Sequence, residues 1–74
     1  MFPSVKDLQM TARTIRRFAD SQKPGICIWY DCGADMMNWL FDNFGGNFNT
    51  SKAMWLKIAG LIDRIAAERA KEGK

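Results

Sequence analysis

The stretch ICIWYDCGADMMNWLFDNF, residues 26–44, decides how this chain folds. Its opening residues Ile26-Cys27-Ile28-Trp29-Tyr30 are β-prone and, taken alone, fit a buried strand as well as a helix. A lone strand needs a partner, and no second strand-like run occurs elsewhere in the 74 residues. The polar positions point to a helix. Asp31, Asp35, Asn38 and Asp42 recur at spacings of four, three and four, which one continuous helix aligns as a single stripe. The spacing therefore predicts a helix over 26–44. Gly33 within it costs about 1 kcal/mol relative to Ala. A break between Asp31 and Gly33, with a shorter helix starting there, stays open.

Helical signals flank this segment on both sides. Ser4-Val5-Lys6-Asp7 has the form of a capping box with Asp in the acidic position. Val5, Leu8, Ala12, Ile15 and Ala19 follow at helical spacing, predicting a helix over 4–20 that the breakers Ser21 to Gly25 terminate. Gly45-Gly46-Asn47-Phe48-Asn49 reads as a turn, after which Asn49, Thr50 or Ser51 caps a helix over 50–71. That helix carries two apolar stripes, Met54, Ile58, Leu61 and Ile65 beside Trp55, Ala59, Ile62 and Ala66. Lys57, Arg64 and Lys71 mark its wet face, with Glu68 placed to pair with Arg64.

The predicted fold is therefore all-α, one domain over 1–74, a small three-helix bundle with helices at 4–20, 26–44 and 50–71. Thirteen of the nineteen positions in 26–44 are apolar, more than the third to half of a helix that a three-helix core covers. This helix is expected at the centre of the fold with apolar surface left over. Either a second copy, completing a homodimer, or a different protein would cover the surplus. Gly33 and Gly60 are expected to permit close helix crossings.

Several classes of function are disfavoured by what the residues cannot do. Charge begins too early for a secretory signal, and no run of 18 apolar residues is free of charge, so a cytoplasmic protein with no membrane span is expected. Asn49-Thr50-Ser51 matches a glycosylation sequon and is read instead as a helix start. The chain has two cysteines, Cys27 and Cys32, and no histidine. Two thiolates do not close a structural zinc site, and on a helix their side chains point about 140° apart, which suits a disulfide poorly. Without histidine, Ser-His and Cys-His nucleophile pairs are impossible within the chain. Asp31 and Asp35 share a face but read as solvated polar positions, and Gly45-Gly46 with Thr50, Ser51 and Lys52 bears only a loose likeness to a phosphate-binding loop, in the wrong order. No catalytic activity, cofactor or metal is expected.

Net charge of +3 invites a nucleic-acid reading, and its distribution qualifies it. Residues 1–25 carry five cations and two anions, residues 26–50 no cation and three anions, and residues 51–74 six cations and three anions. Basic charge belongs to the outer helices. Lys6, Arg13, Arg16 and Arg17 could form a phosphate patch on the first helix. A helix-turn-helix from the second and third helices would present Asn47, Asn49, Thr50, Ser51 and Lys52 to a groove, with its aspartates unfavourably near phosphate.

Protein–protein interaction fits best. Six aromatics, Trp29, Tyr30, Trp39, Phe44, Phe48 and Trp55, are among those between residues 29 and 55, and rings of this kind are enriched at interface centres. The expected contact residues are Trp29, Tyr30, Trp39 and Phe48, with Arg13, Arg16 and Arg17 as a charged rim that steers the partner. A small motif-free protein of this sort reads as a regulator or inhibitor of a larger complex, of the kind phages and mobile elements carry. The alternative is a small basic helical DNA-binding protein.

Overall fold

The computed structural model describes residues 2–72, which among them form helices and turns and no strand. There are four helices rather than three: α1 (Val5–Phe18), α2 (Pro24–Cys32), α3 (Ala34–Phe44) and α4 (Lys52–Glu72). The helix expected over 26–44 is two, and Gly33 divides them.

Gly33 adopts φ 91° and ψ 163°, a region open almost only to glycine. Its N–H donates to the Trp29 carbonyl at 2.8 Å, closing α2, and its carbonyl accepts the Met37 N–H at 3.2 Å, opening α3. Burial explains why the break is preferred. On one straight helix Ile28 and Met37 would point about 180° apart, from 100° per residue. Both are fully or almost fully buried in the fold, which the change of direction at Gly33 permits. The break also dissolves the expected stripe. Asp31 accepts a 2.5 Å hydrogen bond from the Thr14 hydroxyl of α1, while Asp35, Asn38 and Asp42 stay together on α3.

The centre of the fold is the α1–α4 pair, not the 26–44 segment. Leu8, Ala12, Ile15 and Ala19 pack with Trp55, Ile58, Ala59, Ile62 and Ala66 in one core that Ile28, Met36, Met37 and Leu40 complete. Of the two stripes on α4, the Trp55 stripe is the buried one, joined by Ile58. Met54 is exposed, and Leu61 and Ile65 are half-buried. Buried alanines at 12, 59 and 66 let the two helices approach closely, and theirs is the most extensive helix pairing in the fold. The pair runs antiparallel. Arg69 donates to the Pro3 carbonyl at one end, and Lys52 pairs with Asp20 at the other. Arg16 meets Asp63 at 2.6 Å along the flank, whereas the expected Arg64–Glu68 pair is not formed.

Local signals hold at the helix starts. Ser4 Oγ accepts the Asp7 N–H at 3.1 Å and the Asp7 carboxylate accepts the Ser4 N–H at 3.0 Å, a complete capping box. Ser51 Oγ accepts the Met54 N–H at 3.2 Å and so caps α4. Neither Gly33 nor Gly60 marks a close crossing, since an added β-carbon at either would meet nothing within 4 Å. Gly25 does mark a close approach, to the backbone of Phe48. Among the described residues no helix is long and apolar enough to cross a membrane.

Candidate functional site

An apolar groove of about 590 Å³ opens on the face formed by α2, α3 and the loop after α3. Ile26 and Trp29 line it from α2, Ala34, Met37, Asn38 and Phe41 from α3, and Phe48 from the loop. These residues repeat at helical spacing within each helix, three apart on α2 and three, four and seven from Ala34 on α3. On a continuous helix Trp29 and Ala34 would point about 140° apart. The bend at Gly33 is what makes one groove of two faces.

Phe48 closes the groove. Its ring centroid stands 5.8 Å from Trp29 and 5.5 Å from Phe41, the latter edge-on at 87°. Tyr30 extends the cluster with its ring 5.4 Å from Trp29. Such tilted and edge-on geometries are the favourable ones for aromatic rings. The loop is held in shape by its own polar groups. The Asn47 N–H donates to Thr50 Oγ1 at 2.9 Å, that hydroxyl donates to the Asn47 carbonyl at 2.7 Å, and the Asn49 N–H donates to Asn47 Oδ1 at 2.7 Å. Three rings of this cluster nonetheless remain open to solvent: Trp29 at 40%, Phe48 at 44% and Tyr30 at 80% exposure. The exposed apolar surface expected of residues 26–48 is present.

The sequence-derived contact residues divide into three groups. Trp29, Tyr30 and Phe48 come together at the groove. Trp39 does not join them; it is half-buried against the core, edge-on to Phe44 at 5.7 Å. Arg13, Arg16 and Arg17 lie exposed on the outer face of α1, and none of them lines the groove. Arg16 is engaged by Asp63, and the Arg17 guanidinium sits 5.3 Å from the Phe18 ring centroid. The groove's own border is acidic. Asp35 and Asp42 share a row on α3 with the groove-lining Asn38, both are exposed, and neither has an ion-pair partner among the described residues.

Ile26, Ala34, Met37, Asn38 and Phe41 are the groove residues that sequence reasoning did not single out. The i, i+3, i+4, i+7 pattern from Ala34 was the available signal. The segment reads first for its polar stripe, to which Asn38 belongs.

A second, smaller cavity of about 120 Å³ lies between α1 and α2, with Thr14, Asp31 and Cys32 among its walls. Both cysteines are free thiols. Burial pushes the Cys32 thiol up, against the favourable contact of the Thr11 hydroxyl, with the Asp31 carboxylate adding to the rise and Thr14 opposing it. A thiol held protonated in this way is a weak nucleophile at neutral pH. Among the described residues no cluster of three or more acidic or thiol side chains could hold a metal ion. The Asn47–Lys52 segment is also committed internally, through the loop bonds above, the Ser51 cap and the Lys52–Asp20 pair.

Compared with known proteins, the chain matches no family model, and no curated protein and no solved structure shows significant similarity to it.

Proposed function

We propose that this chain is a non-enzymatic binding module, a regulator or inhibitor that seats an apolar segment of a partner protein in the α2–α3 groove. The observation that carries the reading is the exposed aromatic surface at Trp29, Tyr30 and Phe48 around a preformed groove. A chain of this size gains stability by burying such rings, so leaving three open on one face sets them aside for contact. Trp29 and Phe48 are the anchors and Tyr30 extends the contact at the edge. The arginines of α1 act at a distance, through the field that steers an approaching partner, and not as a rim of the groove.

Nucleic-acid binding through α1 is the second reading. Its support is that Arg13 and Arg17 have no carboxylate partner among the described residues.

Capture from a nuclease-treated lysate of the source cells, run in parallel with wild type and Phe48→Ala, separates the two. Under the groove reading a stoichiometric protein partner survives nuclease and is lost with the folded Phe48→Ala chain. Retention of that partner by Phe48→Ala, or capture that nuclease abolishes, would sink the groove reading.

A further inference from the structure

Resting on that reading, we infer that the groove's occupant is a basic amphipathic helix, with an apolar face for the groove and cations along the edge that meets α3. Three observations carry this. Residues 24–51 contain three aspartates and neither lysine nor arginine, so the segment that builds the groove is anionic in a chain of net charge +3. Asp35 and Asp42 stand in the same row of α3 as the groove-lining Asn38, exposed and unpaired among the described residues. α3 has no basic residue in its last turn, so no side chain compensates the negative end of its dipole.

The geometry also orients the partner. Asp35 and Asp42 are seven residues apart, a separation of about 10 Å along α3 at 1.5 Å per residue. A helix lying along α3 matches them with cations two turns apart. Lys23 sits at the other end, in the adjoining cavity it shares with Ile26 and Phe48, and repels cations there. The basic edge therefore faces α3, away from the first turn of α2.

A second copy fits less well. Groove against groove would set the Asp35–Asp42 rows near each other, and like charges at an interface oppose association. The outer face of α1 has the cations, but Met10 is the one large apolar side chain exposed among Lys6, Gln9, Arg13, Arg16 and Arg17, too little to fill the groove.

The probe is a synthetic helical peptide with leucines at every third and fourth position and lysines along one edge. A control carries glutamate in place of each lysine. Titration calorimetry with the full chain should show the lysine peptide binding at least ten times more tightly than the control, and less tightly as salt rises. Asp35→Asn with Asp42→Asn should weaken it about fivefold, the size expected for two exposed pairs. Both substitutions are at exposed positions, and circular dichroism checks that the helices persist. Equal binding of both peptides would overturn the charge inference and leave the groove reading standing. No binding of either would overturn both. A dimer in sedimentation equilibrium that Phe48→Ala dissolves would make the occupant a second copy and overturn the inference as well.

Discussion

Gly25 and Phe48 meet backbone to backbone: the Phe48 Cα lies 2.7 Å, and its carbonyl carbon 2.9 Å, from the point a β-carbon on Gly25 would occupy. This contact seats the loop on the first turn of α2, and so places the Phe48 ring between Trp29 and Phe41. The groove exists because a residue without a side chain sits beneath its lid.

Gly25→Ala should therefore open the groove. The atoms in collision are backbone, with no rotamer to relieve them, so the loop has to move. Overpacking of this kind costs about 1–3 kcal/mol. The expected result is a lower urea midpoint and changed near-ultraviolet dichroism from Trp29, with most helical signal kept. An unaltered aromatic spectrum would mean that Phe48 does not lie against Gly25 in solution.

Gly33→Ala isolates the cost of the bend. A β-carbon there meets nothing within 4 Å, so any loss comes from the backbone alone, held at φ 91°. Strain of this type costs about 1–3 kcal/mol. In a host helix the same substitution would gain about 1 kcal/mol. The sign of the stability change thus reports which structure the chain adopts: destabilisation supports two helices, and stabilisation supports a straight helix over 26–44.

The contrast between those two signs also shows what was legible in the sequence. Helical class, the Ser4 capping box and the Val5–Ala19 core face are local properties, written in propensity and spacing. Gly33 looked tolerable in a helix because its cost there is small compared with a whole helix of favourable spacing. What decides against it is tertiary: Ile28 and Met37 cannot both reach the α1–α4 pair from a straight rod. The groove was half legible for the same reason. Trp29, Tyr30 and Phe48 stood out by residue type, but their union with Ala34 and Phe41 depends on the bend. Gly25 was read as a breaker, and its real constraint comes from a residue 23 positions away.

The capping box makes a pH prediction. Hydrogen bonds from the Ser4 backbone N–H and hydroxyl hold the Asp7 carboxyl below its ordinary value of 3.8. A folded-state value lower than the unfolded one adds stability above the unfolded value, and that gain is lost as pH falls through the folded one. Asp7→Asn should therefore be less stable than wild type at neutral pH, and the gap should close below pH 3.8. Thermal melts of both chains from neutral to acid pH check this. A gap that is constant across the range would mean that the charged form of Asp7 does not cap α1.

Trp39 and Phe48 separate stability from binding. Both rings were expected at one contact surface, yet Trp39 packs against the core while Phe48 is 44% exposed beside the groove. Full burial of a large aromatic makes its truncation cost about 3–5 kcal/mol, and a half-buried ring forfeits a part of that. Trp39→Ala should lower the urea midpoint by the larger amount, on the order of 2 kcal/mol, in a domain of this size a substantial share of its stability. Phe48→Ala should cost about 1 kcal/mol, since its ring gives up contacts with Trp29 and Phe41 and only partial burial. Partner affinity should follow the opposite order once each chain is measured under conditions where it is folded. Trp39→Ala would bind nearly as wild type, and Phe48→Ala at least tenfold more weakly, as truncation of an anchor ring does. If the two substitutions instead lower affinity in proportion to stability, the partner surface is the core-facing side of α3 and the groove is not the site.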